Sequence, residues 1–93
     1  MPEMRFEVRW PDGVSTRCYS PSLVIKEFFE PGQSYPLADF LARAREAYQI
    51  ANERVRQRWG FGCGQAQHQL QEIEDYAARF TADATVRIGG FEE

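Results

Sequence analysis

The sequence has few cysteines and histidines, the residues that most often hold structural zinc or form disulfides. Cysteine occurs twice, as Cys18 and Cys63, and histidine once, as His68. These three side chains fall short of the four protein ligands of a structural zinc site. The N-terminal Met-Pro-Glu-Met lacks a basic region followed by an apolar stretch. We therefore expect no signal peptide, a cytoplasmic location and reduced thiols.

Long apolar runs and an excess of positive charge are also missing. No run approaches the roughly 20 apolar residues that a membrane span needs, so no membrane association is predicted. The formal net charge of −3 argues against a general attraction to nucleic acid or anionic membranes. The 93 residues, of which 43% are hydrophobic and 14% aromatic, are typical of one folded domain with a core.

The N-terminal segment has the alternation of a half-buried strand at residues 3–10. Apolar and charged side chains alternate there, which places them on opposite faces of a sheet. The apolar set is Met4, Phe6, Val8 and Trp10, and the charged set is Glu3, Arg5, Glu7 and Arg9. Pro11-Asp12-Gly13 follows and is typical of a three-residue hairpin loop closed by glycine.

The length of this loop predicts the register of a second strand at 14–19. A three-residue loop places Glu7 opposite Arg17, which is a favourable cross-strand pair. A two-residue loop would instead place Arg17 opposite Val8 on the buried face. The predicted apolar pairs are Trp10 with Val14, Val8 with Thr16, and Phe6 with Cys18.

Residues 21–29 have two interpretations. Their apolar positions follow the spacing of a short helix, with Ser20 as its cap and Pro21 at its first position. The alternative is a strand at 23–29, because that run is rich in β-forming residues. Lys26-Glu27 interrupt the alternation, so the helix is preferred.

A pair of antiparallel helices is predicted next. The first begins at Pro36 and continues to Trp59, and Gly60-Phe61-Gly62 separates it from a second helix at 64–80. A third strand at 84–88 ends at Gly89-Gly90, and residues 91–93 are expected to form a flexible tail.

The predicted fold is a single α+β domain at 1–93, with the helices on one face of a three-stranded sheet. Such a sheet has an open edge. Two chains could pair through these edges or through their helical hairpins, so a homodimer is predicted. The side chains expected to meet in the centre are Phe6, Trp10, Leu41, Tyr48 and Ile73.

The candidate site is the connection Gly60–Gly64. Cys63 lies between glycines near a predicted helix N-terminus, a position that lowers the pKa of a thiol and would make it reactive. The alternative interpretation is that Cys63 is a small apolar residue buried under the helix turn. His68 lies about 140° further round that helix and does not face Cys63, so no base is evident. Trp59 and Phe61, if exposed together, would form an interface anchor.

Arginines are concentrated on the long helix, where they are interspersed with glutamates and do not share one face. They could bind an acidic partner or a phosphate, but a solvated face with ion pairs is the preferred interpretation. This set is Arg43, Arg45, Arg54, Arg56 and Arg58.

Four stretches resemble a small bacterial family of nitrogen-starvation-response proteins. They are Met-Arg-Phe-Glu-Val-Arg-Trp-Pro-Asp-Gly (4–13), Cys-Tyr-Ser-Pro-Ser (18–22), Tyr-Pro-Leu-Ala-Asp-Phe (35–40) and Arg-Trp-Gly-Phe-Gly-Cys (58–63). The resemblance implies genes beside a nitrilase-like hydrolase, a radical-SAM enzyme, an acetyltransferase and a flavin oxidoreductase, but no catalytic residue. Residues 37–48 are also similar to the helix of HicB-type antitoxins, which is an analogy of fold alone.

Three functions remain open. The preferred one is a non-catalytic accessory or interaction protein of a nitrogen-related biosynthetic or assimilation pathway, without a cofactor, which binds or regulates an enzyme of its own cassette. The candidate residues for contact with a ligand or partner are Arg58, Trp59, Phe61 and Cys63. The second is a small enzyme or ligand-binding protein that uses Gly60–Gly64 with Cys63, and the third is an antitoxin-like regulator. A pocket shared by Trp59, Phe61 and Cys63 would favour the second, and a flat apolar patch the first.

Overall fold

The computed structural model describes residues 3–93. Along the chain its elements are β1 (Met4–Arg9), β2 (Ser15–Ser20), α1 (Ile25–Phe28), β3 (Ser34–Pro36), α2 (Leu37–Trp59), α3 (Gly64–Ala77) and β4 (Thr85–Glu92). The four strands form one antiparallel sheet in the order β2-β1-β4-β3. The helices pack on the apolar face of this sheet, so the α+β class is confirmed.

The hairpin at the start of the chain has the predicted register. The ladder pairs Phe6 with Cys18, Glu7 with Arg17, and Val8 with Thr16. The Trp10 amide donates to the Val14 carbonyl at 2.9 Å. Val14 itself was expected on the buried face but is 45% exposed, because it lies at the loop end of the hairpin, before β2 begins.

The sheet has four strands within the described residues, where three were predicted. The strand that was missed is β3, which pairs with β4 through Tyr35 and Val86. Its three residues are too few to show an alternation, and one of them is Pro36, which normally indicates a turn. The Tyr35 ring packs edge-on against Phe29 at 5.4 Å between centroids and fixes this segment to the core.

The predicted end of the last strand at Gly89-Gly90 is wrong, and so is the flexible tail. β4 continues to Glu92, and the glycines lie where the ladder changes register between Val8–Ile88 and Phe6–Phe91. This shift adds one residue to β4, as in a β-bulge. Phe91 packs against the core, so the strand remains anchored beyond the irregularity.

Residues 21–29 contain a helix, but only at Ile25–Phe28, and the alternative strand is wrong. Two buried serines shape the preceding turn. The Ser20 hydroxyl donates to the Ser22 carbonyl at 2.8 Å, and the Ser22 hydroxyl accepts from the Val24 amide at 3.2 Å. These local hydrogen bonds compete with a helical start at Pro21 and delay the helix.

The two long helices form as expected and pack against each other. The first amides of α2 donate to carbonyls of the turn before β4, Leu37 to Ala84 at 2.8 Å and Ala38 to Ala82 at 3.0 Å. α3 ends at Ala77 rather than at residue 80. Of the side chains expected in the centre, Phe6, Trp10, Tyr48 and Ile73 are buried, whereas Leu41 is half-buried.

One edge of the sheet is short, and the other has some of its backbone groups bonded to side chains from the helices. On β2, the Tyr19 amide donates to Gln69 Oε1 at 3.0 Å and its carbonyl accepts from the Tyr48 hydroxyl at 2.6 Å. The other edge is β3, which has three residues and includes Pro36. Such features limit the pairing of a sheet edge with another chain.

Candidate interaction surface at the helix connection

The connection between α2 and α3 begins with a left-handed residue. Gly60 has φ of 84°, and its amide donates to the Arg56 carbonyl at 2.7 Å. Glycine adopts this conformation without the strain that a Cβ introduces, which is why it commonly follows the end of a helix. The chain therefore turns sharply immediately after Trp59.

The second half of the connection is fixed by Asn52, about two turns before the end of α2. Asn52 Oδ1 accepts a hydrogen bond from the Cys63 amide at 2.7 Å. A Cβ on Gly62 would lie 2.7 Å from that same Oδ1, so any larger residue would displace the Asn52 side chain from this position. The Cys63 sulfur then caps α3 by accepting from the Ala66 amide at 3.4 Å.

Trp59 and Phe61 are exposed on this connection. Their exposed fractions are 59% and 70%, and Val14 at 45% is the other large apolar residue with an exposed side chain in the described part of the chain. The Arg58 guanidinium lies over the Trp59 ring at 5.4 Å from its centroid. We call Arg58, Trp59 and Phe61 the connector surface.

A cleft of about 250 Å³ adjoins the connector surface. It is lined by Glu3, Tyr19, Pro21, Val55, Trp59 and Cys63. Trp59 and Cys63 share this cleft, whereas Phe61, the third residue of the pocket that the second function calls for, is not part of its lining. The structure thus combines an exposed aromatic pair with a shallow cleft beside it.

Tyr19 and Glu3 are parts of this cleft that the sequence did not indicate. Partial burial raises the pKa of Tyr19 to about 12, and the nearby Cys63 thiol and Glu3 carboxyl group contribute to the rise. A phenol with a raised pKa stays protonated and serves as a hydrogen-bond donor at neutral pH. Tyr19 lies on β2 and Glu3 immediately precedes β1, so only the tertiary fold brings them to Cys63.

His68 does not contribute to this cleft. Its side chain is 76% exposed, and Nε2 lies 3.4 Å from a Glu72 carboxylate oxygen on the next turn of α3. Across residues 3–93, no three His, Cys, Asp or Glu side chains are grouped so that they could hold a metal ion.

The other cysteine is a core residue, as predicted from the register. Cys18 is buried, and burial raises the pKa of its thiol to about 12. The Thr16 hydroxyl, 3.8 Å from the sulfur, acts in the opposite direction.

The arginines of α2 mostly form ion pairs, which confirms the preferred interpretation for four of the five. Arg43 pairs with Asp39, Arg45 with Glu74, Arg54 with Glu27, and Arg56 with Glu53. Arg58 differs, because its contact is with the Trp59 ring. Within residues 3–93 no helix has the length and apolar character to cross a membrane.

The fold and the connector surface define a class: an α+β protein in which two packed helices lie on a four-stranded antiparallel sheet and present an aromatic pair where they join. The family model of the nitrogen starvation-induced protein NitG matches residues 5–91, and the chain belongs to this family. The resemblance found in the sequence is thereby confirmed. Comparison with curated proteins gives no match, and comparison with solved structures gives none either.

Proposed function

We propose that this protein is a non-catalytic partner of an enzyme encoded in its own gene cassette and acts with it in the response to nitrogen starvation. The observation that carries the proposal is the exposure of Trp59 and Phe61 on a connection that hydrogen bonds hold in place. The family supplies the physiological setting.

The exposed aromatic pair has the properties of a binding hot spot. Aromatic residues and arginine are enriched among the few side chains that dominate protein–protein affinity, and truncating such a residue typically weakens binding by about 2 kcal/mol or more. Because Gly60 and Asn52 fix the connection, little conformational entropy is lost when Trp59 and Phe61 become ordered against a partner.

Arg58 adds a charge preference to the connector surface. Among residues 3–93 it is not in an ion pair, whereas the other arginines of α2 are. A cation beside an aromatic anchor favours a partner with an acidic group at the rim of its apolar pocket. The partner surface that fits best is therefore an apolar pocket with a carboxylate at its edge.

The test is binding to purified cassette enzymes, measured by isothermal titration calorimetry. The nitrilase-like hydrolase, the radical-SAM enzyme, the acetyltransferase and the flavin oxidoreductase are titrated separately. We expect one of them to bind, and the double variant W59A/F61A to bind it at least about 30-fold more weakly. Val14→Ala removes an exposed apolar side chain elsewhere and should leave the affinity unchanged.

Two results would contradict the proposal. One is the absence of binding to all four enzymes. The other is equal affinity of wild type and W59A/F61A. We expect the double variant to fold, because replacing exposed side chains changes the free energy of unfolding by only about 0.5 kcal/mol. Circular dichroism checks this.

A second candidate function rests on the cleft that Cys63 shares with Trp59. A thiol at a helix N-terminus beside a protonated phenol is an arrangement that could hold a small electrophilic or anionic ligand. The rate of Cys63 alkylation against pH tests it in a C18A background. A profile with the midpoint of an ordinary thiol removes the main support for this function.

An antitoxin-like regulator remains a prediction from the helix analogy alone. Its DNA-binding form is tested by a gel shift at low salt, where electrostatic binding is strongest. The pairing of most α2 arginines with carboxylates leaves little free positive charge on that helix for phosphates.

A further inference from the structure

The sheet face opposite the helices contains a cavity that the connector surface does not share. Along β1, Arg5 and Arg9 are exposed on this face, while the alternate apolar residues are buried against the helices. The cavity has a volume of about 510 Å³, within the range of small-molecule sites. It lies between β1, β4 and the loop before β3, and its lining includes Glu7, Arg9, Arg87 and Gly90.

Two arginines meet in this cavity. Arg9 on β1 is the direct cross-strand partner of Arg87 on β4. Side chains that are directly opposite in a sheet have Cβ atoms about 5 Å apart, and like charges in such pairs are destabilising. The ladder therefore holds two positive charges together without an evident gain for the fold.

The remaining cations of the chain have partners. Of the 11 lysines and arginines, seven form ion pairs with carboxylates. Arg58 and Arg79 lie over the rings of Trp59 and Tyr76. Within residues 3–93, the two that have neither kind of partner are Arg9 and Arg87, which are also the two that share the cavity.

The irregularity in β4 gives access to these arginines. The bulge lies at Gly89-Gly90, and a Cβ on Gly90 would meet no atom within 4 Å. Gly89 is packed differently, because the Glu7 side chain lies against its backbone. The cavity therefore has two guanidinium groups, an open stretch of backbone and one carboxylate, that of Glu7.

We infer that Arg9 and Arg87 bind a small oxyanion, a phosphate or a carboxylate group, in this cavity. Guanidinium groups present paired N–H donors that match two oxygens of either group, and one anion bound between them removes their mutual repulsion. Glu7 favours a ligand that also carries a hydroxyl or amino donor, since its carboxylate repels an anion without one. This site uses none of the residues of the connector surface, so it stands independently of the proposed partner.

The test is an NMR titration of amide resonances with two probes, sodium phosphate and sodium succinate, each against sodium chloride at equal ionic strength. We expect saturable shifts of the Gly89 and Gly90 amides with at least one probe, and the responding probe identifies the anionic group. The variants R9Q and R87Q should weaken binding at least tenfold. Arg56→Gln removes an exposed charge from α2 and should have no effect.

Two further variants keep the inference open to refutation. Glu7→Gln should tighten binding of the responding probe, because it removes the carboxylate beside the anion. Arg9→Lys keeps the charge but not the paired donors, so its affinity should lie between those of wild type and R9Q, and it decides the matter if R9Q does not fold. The absence of saturable shifts with both probes, or equal affinity in wild type and both glutamine variants, would overturn the inference.

Discussion

Replacing Gly62 by alanine should destabilise the protein through a single side chain, Asn52. The new Cβ would lie 2.7 Å from Asn52 Oδ1, closer than a Cβ approaches other atoms in proteins, and 3.1 Å from Nδ2, which is a tight contact. The amide of Asn52 can rotate away, but Oδ1 is the acceptor for the Cys63 amide. Relief of the clash therefore requires the loss of that hydrogen bond.

The magnitude follows from what this hydrogen bond satisfies. The Cys63 amide is partly buried, and an amide left without an acceptor typically destabilises a fold by about 1–3 kcal/mol. For a chain of this size, 1 kcal/mol corresponds to a change in Tm of roughly 4–8 °C. We expect Gly62→Ala to lower the free energy of unfolding by about 1–3 kcal/mol, measured by urea denaturation followed by circular dichroism.

A control and a double-mutant cycle isolate the cause. Gly64 begins α3 and a Cβ there meets no atom within 4 Å, so Gly64→Ala should stabilise the protein by up to about 1 kcal/mol. In an Asn52→Ala background, Gly62→Ala should cost less than about 0.5 kcal/mol, because the clash and the hydrogen bond are both gone. Wild-type stability of Gly62→Ala, or equal losses in both backgrounds, would refute the reasoning.

Two titratable sites give predictions about pH. The Cys18 pKa of about 12 lies above that of an unfolded thiol, so the unfolded state loses this proton first as the pH rises. Above about pH 9, the contribution of Cys18 to stability should therefore fall by roughly 1.4 kcal/mol per pH unit. Denaturation at pH 8 and pH 10.5 measures this loss, and Cys18→Ala should make the free energies of unfolding at the two pH values more alike. An equal loss in wild type and Cys18→Ala would contradict the prediction. The Tyr76 hydroxyl donates to Asp12 at 2.6 Å and lowers the pKa of that carboxyl group. Tyr76→Phe should therefore reduce stability at pH 7. The difference in the free energy of unfolding between variant and wild type should disappear as the pH falls through the native pKa of Asp12. A difference that does not depend on pH would argue against this hydrogen bond.

The sequence predicted best where local chemistry decides the structure. The register of the β1–β2 hairpin follows from a loop with one favourable length and from an alternation that only one register satisfies. The ends of α2 follow equally well, because Pro36 and Gly60 are strong start and stop signals for a helix. The sequence placed Trp59 and Phe61 beside that stop signal but left open whether they are exposed, and the structure exposes both.

Features that depend on distant pairing were missed. Gly89-Gly90 reads locally as the end of a strand, and it is the pairing of Phe91 and Glu92 with the neighbouring β1 that holds β4 extended beyond it. β3 exists because its partner is present, since its own three residues have no strand pattern. The meeting of Arg9 and Arg87 depends on the β1–β4 register and could not be read from either segment alone.

The order of the strands has a consequence for biosynthesis. β4 leaves the ribosome after the other six elements described above, and it lies in the interior of the sheet between β1 and β3. Until residues 85–92 emerge, the first hairpin has one unsatisfied edge and the helices have an incomplete surface to pack on. Folding should therefore finish only after synthesis of that segment, and a chain shortened before it should be degraded rather than persist in a partly assembled form.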